Sequence, residues 1–389
     1  MTIVSRRAFV AHTAGAAVLS AMPALSREDD EMDYLMFVGM YTSNEAKGVH
    51  VFGVDKDLTS FKLLSVGEAK NPSYVAVHPN KRFLYAVNEV GEYMGEKGGG
   101  LSSFSLDPNT GELEPLNHQF TQGGAPCYVS VDGFGRWALV ANYSGGNVTS
   151  FAIGENGVLS EPTSVIQHEG SSVNQQRQKE PHAHCIYISP NNQFAYVCDL
   201  GIDKVMIYKI DQKTGALTPN DPPFAKLHPG AGPRHITFTP NGKTAFVINE
   251  LDSTITAFRY NQLTGELTKH STVSTLPPDF DGSNSCADIH ITNNGRYVYG
   301  SNRGHNSIVV FSFDEASSKF TLLQHQFTRG KTPRNFVIDP TGRFLLAANQ
   351  DSNSVVVFSI DKITGKLNPT GATLDVHKPV CLKFIHKGA

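Results

Sequence analysis

Several features that identify common protein classes are missing from this 389-residue sequence. Its net charge is only -3 and no stretch is strongly basic, which is not the composition of a protein that binds nucleic acid. The five cysteines cannot all be paired, and their spacing does not fit a metal site, so we expect neither a metal nor a cofactor. Cys185 and Cys198 could face each other across one hairpin, either as a disulfide or as two plain buried thiols.

Long apolar runs and helical patterns are also missing. Beyond the N-terminal segment no run of 18 or more apolar residues occurs, so we expect no membrane span in the mature protein. No apolar stripe with a 3.6-residue period persists long enough to build a solenoid of helical pairs. The missing helical stripe therefore excludes a solenoid of stacked helical pairs.

One sequence pattern is repeated seven times along the chain. The clearest copies are residues 72–79, 232–240 and 332–340, where a small or proline residue leads into a short apolar run and a turn. The copies begin 46 to 57 residues apart, a period typical of propellers and solenoids. The first small or proline residues of the copies, which we call the anchors, are Pro72, Pro126, Ala183, Pro233, Cys286, Pro333 and Pro379.

Each copy continues as four short β-rich runs. A turn such as residues 240–242 separates the first run from the second, and the second commonly ends in an asparagine such as Asn249. The third run closes on a phenylalanine such as Phe258, and a Thr-Gly turn at residues 264–265 leads into the fourth. Four short antiparallel strands per repeat describe a propeller blade. We expect the shared asparagine to be structural, because short amide side chains satisfy backbone groups in turns.

The two ends of the chain predict how the ring closes. The last repeat stops after one strand, at residues 380–384, whereas residues 34–68 contain only the later strands of a repeat. Joining the C-terminal strand to the N-terminal blade completes a seven-bladed β-propeller, an all-β fold with no exposed sheet edge at the closure. An open pair of β-sheets packed as a sandwich is the alternative.

A segment before the repeats has a different character. Residues 1–26 contain Arg6 and Arg7, then an alanine-rich apolar stretch, then a small-x-small sequence at residues 24–26. This order is typical of a twin-arginine export signal, and the alternative is a tail with a chance arginine pair. We therefore predict an export signal at 1–26, a linker at 27–33 and one propeller domain at 34–389. The signal predicts a periplasmic or exported protein, and a fortuitous pattern would leave it cytoplasmic.

Two positions differ strongly between the repeats, and both are expected at one face of the wheel. The start of the first strand and the end of the second emerge together, because these two strands are antiparallel. The residues that follow the anchors are Ser73, Cys127, His184, Arg234, Ala287, Arg334 and Val380. The residues that follow the shared asparagine, or its equivalent, are Tyr41, Glu89, Tyr143, Leu200, Glu250, Arg303 and Gln350.

This placement predicts an anion pocket at one mouth of the central channel. Arg234, Arg303 and Arg334 would repel one another unless an anion joins them, which suggests a carboxylate or phosphate ligand. Each charged residue also has a structural alternative. Arginines at blade junctions can bridge neighbouring backbones, and Glu250 can form an ion pair with one of them.

His184 is the only imidazole directly after an anchor. With an ordinary pKa of about 6.5, a histidine can take a proton from water near neutral pH. His182 lies two residues earlier and is expected on the same side of an extended strand. A metal held by this pair is an alternative that lacks a convergent third ligand. His235 and His290 alternate inside strands and are expected to be satisfied core residues.

Three segments carry a resemblance to a known family: residues 230–235 (Gly-Ala-Gly-Pro-Arg-His), 247–251 (Val-Ile-Asn-Glu-Leu) and 286–292 (Cys-Ala-Asp-Ile-His-Ile-Thr). With them, nearly all of the sequence after the N-terminal segment resembles the seven-bladed propeller lactonases, which include bacterial 6-phosphogluconolactonases and fungal carboxy-cis,cis-muconate cyclases. The resemblance implies lactone chemistry in the central channel, as in the glucose metabolism of the pentose phosphate pathway. It further implies a working set of one histidine, two arginines and one glutamate, which fall on His184, Arg234, Glu250 and Arg303.

The resulting hypothesis is hydrolysis of a sugar lactone, most simply of the 6-phosphogluconolactone type. His184 would be the general base on a water, Arg234 and Arg303 would stabilise the oxyanion and the anionic arm, and Glu250 would orient an arginine or shuttle a proton. Additional substrate contacts are expected from Arg334, His182 and Glu89. The expected partner is a small anionic lactone, bound by a monomer or weak oligomer.

Two other functions fit the same fold. A cycloisomerase that makes or opens a muconolactone could use the same base and cations on a dicarboxylate. A non-catalytic propeller could instead present this face to a protein or glycan, because the fold alone does not specify chemistry. The export signal adds a further alternative, since an exported enzyme would meet unphosphorylated sugar lactones or other anionic lactones.

Overall fold

The computed structural model describes residues 32–44 and 46–388, and these form seven four-stranded antiparallel sheets arranged as the blades of a propeller. The predicted signal at residues 1–26 and most of the linker lie outside the described residues. Within them the only helical segment is a short 3₁₀ turn, Gln350–Ser352.

The strands are named in chain order and grouped by blade. The first blade contains β1 (Tyr34–Met40), β2 (Val49–Val54) and β3 (Phe61–Gly67). The second contains β4 (Val75–Val77), β5 (Phe83–Asn88), β8 (Gly100–Leu106) and β9 (Leu113–Phe120), with the small hairpin β6 (Glu92–Tyr93) and β7 (Glu96–Lys97) inserted after β5. The third contains β10 (Pro126–Val131), β11 (Trp137–Asn142), β12 (Asn147–Ile153) and β13 (Leu159–Gln167). The fourth contains β14 (Ala183–Ile188), β15 (Phe194–Asp199), β16 (Lys204–Ile210) and β17 (Leu217–Lys226).

The remaining blades follow the same plan. The fifth contains β18 (Pro233–Phe238), β19 (Thr244–Asn249), β20 (Thr254–Tyr260) and β21 (Leu267–Ser274). The sixth contains β22 (Ser285–Ile291), β23 (Tyr297–Arg303), β24 (Ser307–Asp314) and β25 (Lys319–Phe327). The seventh contains β26 (Pro333–Ile338), β27 (Phe344–Asn349), β28 (Ser354–Ile360) and β29 (Leu367–Asp375). The last strand, β30 (Pro379–His386), returns to the first blade.

Burial along the strands explains why the blades stack. The second strands β11, β15 and β19 are buried at every residue, because blades cover both of their faces. The outermost strand β13 instead alternates between more and less exposed residues, as expected for a strand with one wet face. Each blade therefore depends on its two neighbours to cover the apolar faces of its middle strands.

The ring closes as the sequence predicts. Strand β30 pairs antiparallel with β1, placing Tyr34 opposite His386, and it completes the sheet order β3-β2-β1-β30. The shared asparagines are structural, also as predicted. Asn142 and Asn302 each donate a side-chain hydrogen bond to a backbone carbonyl in the loop that precedes their own blade, at 3.0 Å.

A β-bulge interrupts the innermost strand of most blades directly after the anchor. In the fifth blade Pro233 pairs with Asn249 and His235 with Ile248, so Arg234 is the extra residue. Cys127, His184 and Arg334 occupy the same bulge in the third, fourth and seventh blades. A bulge re-aims the side chain of its extra residue, which gives a physical reason why this position differs between the repeats.

The five cysteines are all buried and unbridged. Cys185 and Cys198 are register partners in β14 and β15, as the hairpin prediction placed them, and both are free thiols. The structure therefore supports the alternative of plain buried thiols at this pair.

Candidate active site

The bulge residues meet the ends of the second strands at one mouth of the channel. They line a narrow cavity whose space of about 10 Å³ is suited to a single water molecule rather than a sugar ring. Its lining residues come from six blades and are Ser73, Tyr74, Glu89, Cys127, His184, Arg234, His235, Arg334 and Val380.

Glu250 is the centre of an ion-pair cluster beside this cavity. Arg234 Nε donates to Glu250 Oε2 at 2.9 Å, and Arg303 Nη2 donates to the same oxygen at 2.8 Å. Arg177 Nη2 donates to Oε1 at 2.7 Å. Burial favours the neutral carboxyl, but Arg303, Arg234 and Arg177 outweigh it and hold the pKa of Glu250 well below its usual range. Glu250 is therefore ionised at neutral pH and cannot supply a proton there.

Two of the three predicted arginines are fixed by this cluster. Arg234 is 2% exposed, and its Nη1 also donates to the carbonyl oxygen of Ala287 at 2.6 Å. Arg303 Nη2 donates to the carbonyl of Cys286 at 2.8 Å, which is a blade-junction bridge of the kind that the structural alternative predicted. Burial, opposed by Glu250, lowers the pKa of Arg303 to about 10, so it remains charged.

Arg334 differs from the other arginines because it is not ion-paired to Glu250, and the nearby carboxylates of Glu89 and Glu250 act on it only through their charge. Within residues 32–44 and 46–388 it has no hydrogen bond or ion pair, and its one close partner is the ring of Tyr41, 5.6 Å from the guanidinium carbon. Tyr41 itself donates to Glu89 Oε1 at 2.9 Å, so Glu89 sits in the same corner of the site without bonding to Arg334. A guanidinium in this state has all of its donors available to an anion.

His184 lies at the cavity and is only 4% exposed. Its Nδ1 is buried without a hydrogen-bond partner among the described residues, which leaves Nε2 as the nitrogen available to the cavity. Burial, followed by the charge of Arg234, lowers the pKa of His184 well below its ordinary value. The imidazole is therefore neutral at pH 7, the form that a general base requires.

His182 contributes less directly than expected. Its ring stacks on Tyr143 with centroids 4.6 Å apart, and its Nδ1 donates to the Tyr143 carbonyl at 3.0 Å. Tyr143 in turn contacts the edge of His184, with centroids 5.5 Å apart. His182 and His184 thus share one aromatic neighbour, which agrees with the prediction that they project to the same side.

His235 and His290 are satisfied histidines, as predicted, and they hold the buried carboxylate of Asp288. His235 Nδ1 donates to Asp288 Oδ1 at 2.7 Å, and His290 Nε2 donates to Oδ2 at 3.0 Å. Arg234 Nη1 lies 3.3 Å from His235 Nε2, so this nitrogen accepts and His235 is neutral. Burial, followed by Arg234, lowers the pKa of His235 to about 4.

Sequence reasoning missed Arg177 and the part that Tyr143 plays. Arg177 belongs to the loop of residues 168–182, which lies outside the four-strand repeat and so has no equivalent position in the other copies. The length of this loop could have drawn attention to it, because the corresponding loop before the fifth blade spans only residues 227–232. Tyr143 stood at one of the two variable positions but carries no charge, so nothing singled it out.

Neither a metal centre nor a membrane helix was found in the described part of the chain. No group of three or more His, Cys, Asp or Glu side chains in it is arranged to hold a metal ion. No helix in it is long and apolar enough to cross a bilayer.

Comparisons with known proteins agree with this geometry. A 6-phosphogluconolactonase of Bacillus subtilis is 39% identical over 357 residues, covering 91% of this chain and 99% of its own length. A 6-phosphogluconolactonase of Formosa agariphila is 35% identical over 319 residues, covering 79% of this chain and 86% of its own. The solved structure of a periplasmic gluconolactonase of Pseudomonas aeruginosa superposes with a TM-score of 0.86 at 33% identity, covering 91% of this chain and 99% of that one. Residues 35–384 match the family model described as lactonase, 7-bladed beta-propeller, and the chain therefore belongs to this family of propeller lactonases.

Proposed function

We propose that this protein hydrolyses a sugar lactone with an anionic arm, of the 6-phosphogluconolactone type, to the open-chain acid. The observation that carries the proposal is the nearly buried His184 beside a water-sized cavity, in a mouth that also holds Arg334 without an ion-pair partner in the described structure. The Bacillus and Formosa relatives, both named 6-phosphogluconolactonase, support the substrate type.

The proposed reaction uses His184 first as base and then as acid. Nε2 takes a proton from the water while the water oxygen forms a bond to the lactone carbonyl carbon. The carbonyl oxygen becomes an oxyanion, which Arg234 stabilises through the donors that Glu250, Ala287 and His235 leave free. The bond from the carbonyl carbon to the ring oxygen then breaks, and the proton on His184 passes to that oxygen. The product is one open chain with a hydroxyl and a carboxylic acid, and the acid releases its remaining proton to solvent at neutral pH to become a carboxylate.

The other side chains orient or bind. Because Glu250 stays ionised, its role is to fix Arg234 and Arg303 rather than to shuttle a proton. Arg334 takes the anionic arm of the substrate, since its donors are uncommitted within the described structure. Glu89 and His182 form part of the wall of the site. Tyr41 holds Glu89 in place by a hydrogen bond, and His182 is held by its hydrogen bond to Tyr143.

A substrate panel with one paired substitution tests the proposal. Purified wild-type protein should open 6-phosphogluconolactone, and His184→Ala should lower kcat by about 10²- to 10⁴-fold, the usual loss when a positioned base is removed. The matched control is His270→Gln, an exposed histidine on the outer strand β21, which should keep wild-type turnover. Unchanged turnover in His184→Ala would refute the assignment of the base.

The same panel separates the alternative functions. Unphosphorylated gluconolactone is the second candidate substrate, because the Pseudomonas neighbour is named a periplasmic gluconolactonase. If the enzyme prefers gluconolactone to the phosphorylated lactone, the proposed substrate changes but the proposed hydrolysis mechanism stands. Turnover confined to carboxymuconate would identify a cycloisomerase, and no turnover of any lactone would leave a binding propeller.

We also propose that residues 1–26 direct twin-arginine export, which would place the enzyme in the periplasm. The support is the succession along the sequence of an arginine pair, an apolar stretch and a small-x-small sequence. Changing Arg6 and Arg7 together to lysine should retain the protein in the cytoplasm, whereas the unchanged chain should be recovered from the periplasm on fractionation. Cytoplasmic recovery of the unchanged chain would refute the export proposal without affecting the lactonase assignment.

A further inference from the structure

The loop of residues 168–182 joins the third and fourth blades and is clamped at both ends to one buried carboxylate. At its start, His168 Nδ1 donates to Asp199 Oδ2 at 2.6 Å, and both side chains are fully buried. At its end, the backbone N–H of His182 donates to Asp199 Oδ1 at 2.8 Å. Because Asp199 is the last residue of β15, both ends of the loop are held by the rigid sheet of the fourth blade.

The middle of the loop is fixed by a second buried carboxylate. Asp203 is 5% exposed, and its two oxygens accept hydrogen bonds from Ser172 Oγ at 2.5 Å and Gln178 Nε2 at 2.8 Å. The same carboxylate accepts from the backbone N–H groups of Gly230 and Gly232, both at 2.7 Å. One acidic side chain thus ties the 168–182 loop to the residues that lead into β18 and Arg234.

The loop places one charged side chain in the site, Arg177. Its Nη2 donates to Glu250 Oε1 at 2.7 Å and to the Tyr143 hydroxyl at 3.0 Å. Glu250 Oε2 is occupied by Arg234 and Arg303, so Arg177 is the sole ion-pair partner of the other oxygen within the described residues. Arg177 therefore joins the carboxylate that holds Arg234 to the ring that packs on His184.

We propose that Arg177 is a positioning residue of the lactonase site, delivered by the 168–182 loop to fix Glu250 and Tyr143 in their working geometry. This inference rests on the proposed function, because its readout is the rate of lactone opening. Both hydrogen bonds leave one nitrogen, Nη2, whose two N–H groups are held in the plane of the guanidinium, whereas a lysine ammonium rotates on a flexible stem and fixes the two directions less firmly. Arg177 touches neither the water cavity nor Arg334, so it acts through its two partners.

The test compares Arg177→Met and Arg177→Lys with wild type and with Lys179→Met. Lys179 is an exposed cation on the same loop and serves as the matched control for loss of one positive charge. We expect Arg177→Met to lower kcat about tenfold or more while KM changes less than about threefold, because a charge-assisted hydrogen bond is lost at Glu250 rather than at the substrate. Arg177→Lys should recover only part of kcat, and Lys179→Met should stay within about twofold of wild type.

Chemical rescue separates positioning from general loss of structure. The Arg177 side chain is 40% exposed, so free guanidinium ion at millimolar concentration can reach the site that the Met variant opens. Partial restoration of kcat in Arg177→Met, with no effect on wild type, supports the inference. An Arg177→Met variant with near-wild-type kcat would overturn it, as would a kcat loss that guanidinium does not reverse and that follows a fall in Tm.

Failure of the inference is distinguishable from failure of the proposed function. If wild-type protein opens no lactone, the proposed function is wrong and the role given to Arg177 is wrong with it. If wild type opens the lactone and Arg177→Met does so equally well, only the inference is wrong.

Discussion

The role proposed for Arg334 follows from the ion pairs that the neighbouring arginines form and Arg334 does not. Arg234 and Arg303 both share Glu250, so much of their charge is already compensated inside the protein. Arg334 contacts an aromatic ring instead, and an aromatic face compensates a cation only weakly. This difference supports the proposal that the anionic arm of the substrate binds to Arg334.

Replacing Arg334 should change both binding and the pH dependence of catalysis. Burial lowers the pKa of His184, and the charges of Arg234, Arg334 and Arg303 lower it further. A base with a lowered pKa stays active to lower pH, so the acid limb of the kcat/KM profile should lie below about pH 6.5. Arg334→Met removes one of these charges, so we expect KM to rise and the acid limb to move to higher pH.

Profiles of kcat/KM against pH for wild type and Arg334→Met measure this directly. Lys331→Met is the matched control, because Lys331 is an exposed cation three residues earlier. It should leave both KM and the acid limb in place. An acid limb that stays where it is in Arg334→Met would mean that Arg334 does not act on His184.

The predictability of the site residues follows from their position relative to the repeat. His184, Arg234, Glu250, Arg303 and Arg334 were found because each stands at a position where the copies disagree. Their convergence was predictable because antiparallel strands bring those positions to one rim. Arg177 was not predictable in this way, since the loop that carries it has no counterpart of similar length in the neighbouring repeat. Which arginine stays unpaired depends on side-chain distances that no sequence pattern contains.

The innermost strands are joined to one another by a chain of buried polar groups. Asp288 of β22 accepts from His235 of β18 and from Asn335 of β26. Asn335 Oδ1 then accepts the backbone N–H of Leu382 in β30 at 2.7 Å. This chain crosses from the fifth blade to the first, so it ties four inner strands together around the channel. Groups with this degree of burial destabilise the fold when a partner is lost.

Titration of His235 should make stability depend on pH in a defined window. Its folded-state pKa of about 4 lies below the ordinary value of about 6.5, so between these values the unfolded chain binds a proton that the folded protein does not. Stability must then fall as pH drops through this window, by about 1.4 kcal/mol per pH unit from this group. His235→Gln, which keeps a donor for Asp288, should remove that part of the slope.

Urea unfolding of wild type and His235→Gln at pH values from about 4.5 to 7.5 checks the difference in slope. His270→Gln replaces an exposed histidine and should retain the wild-type slope. Equal slopes for wild type and His235→Gln would contradict a neutral, buried His235.

Strands were easier to predict than their irregularities. The four β-rich runs of each repeat and the turns between them follow from alternating apolar residues and Gly or Asn signals. The bulges after the anchors were not predicted, because a bulge is a property of the pairing between two strands rather than of either strand alone. The hairpin of β6 and β7 was also missed, since its short strands have no apolar pattern.

The closed ring depends on a strand that is far from its partners in sequence. β30 supplies the innermost strand of the first blade and pairs with β1 along its whole length. It also contacts β26 and β4 in the neighbouring blades, and Val380 lines the cavity. Stability and site geometry therefore share one element, so loss of β30 should affect both.

A chain that ends at Lys378 should not form a stable monomeric propeller. Removing β30 leaves the edge of β1 unpaired, and an unpaired buried edge promotes pairing with other chains. We expect loss of the cooperative thermal transition in circular dichroism and a shift to aggregates in size-exclusion chromatography. A chain that ends at His386 keeps β30 whole and should behave as wild type. Co-expression of residues 376–389 as a separate peptide should restore a folded, active protein, because an added strand can satisfy the same edge. If the chain ending at Lys378 melts cooperatively at the wild-type Tm, closure by β30 is not what holds the ring together.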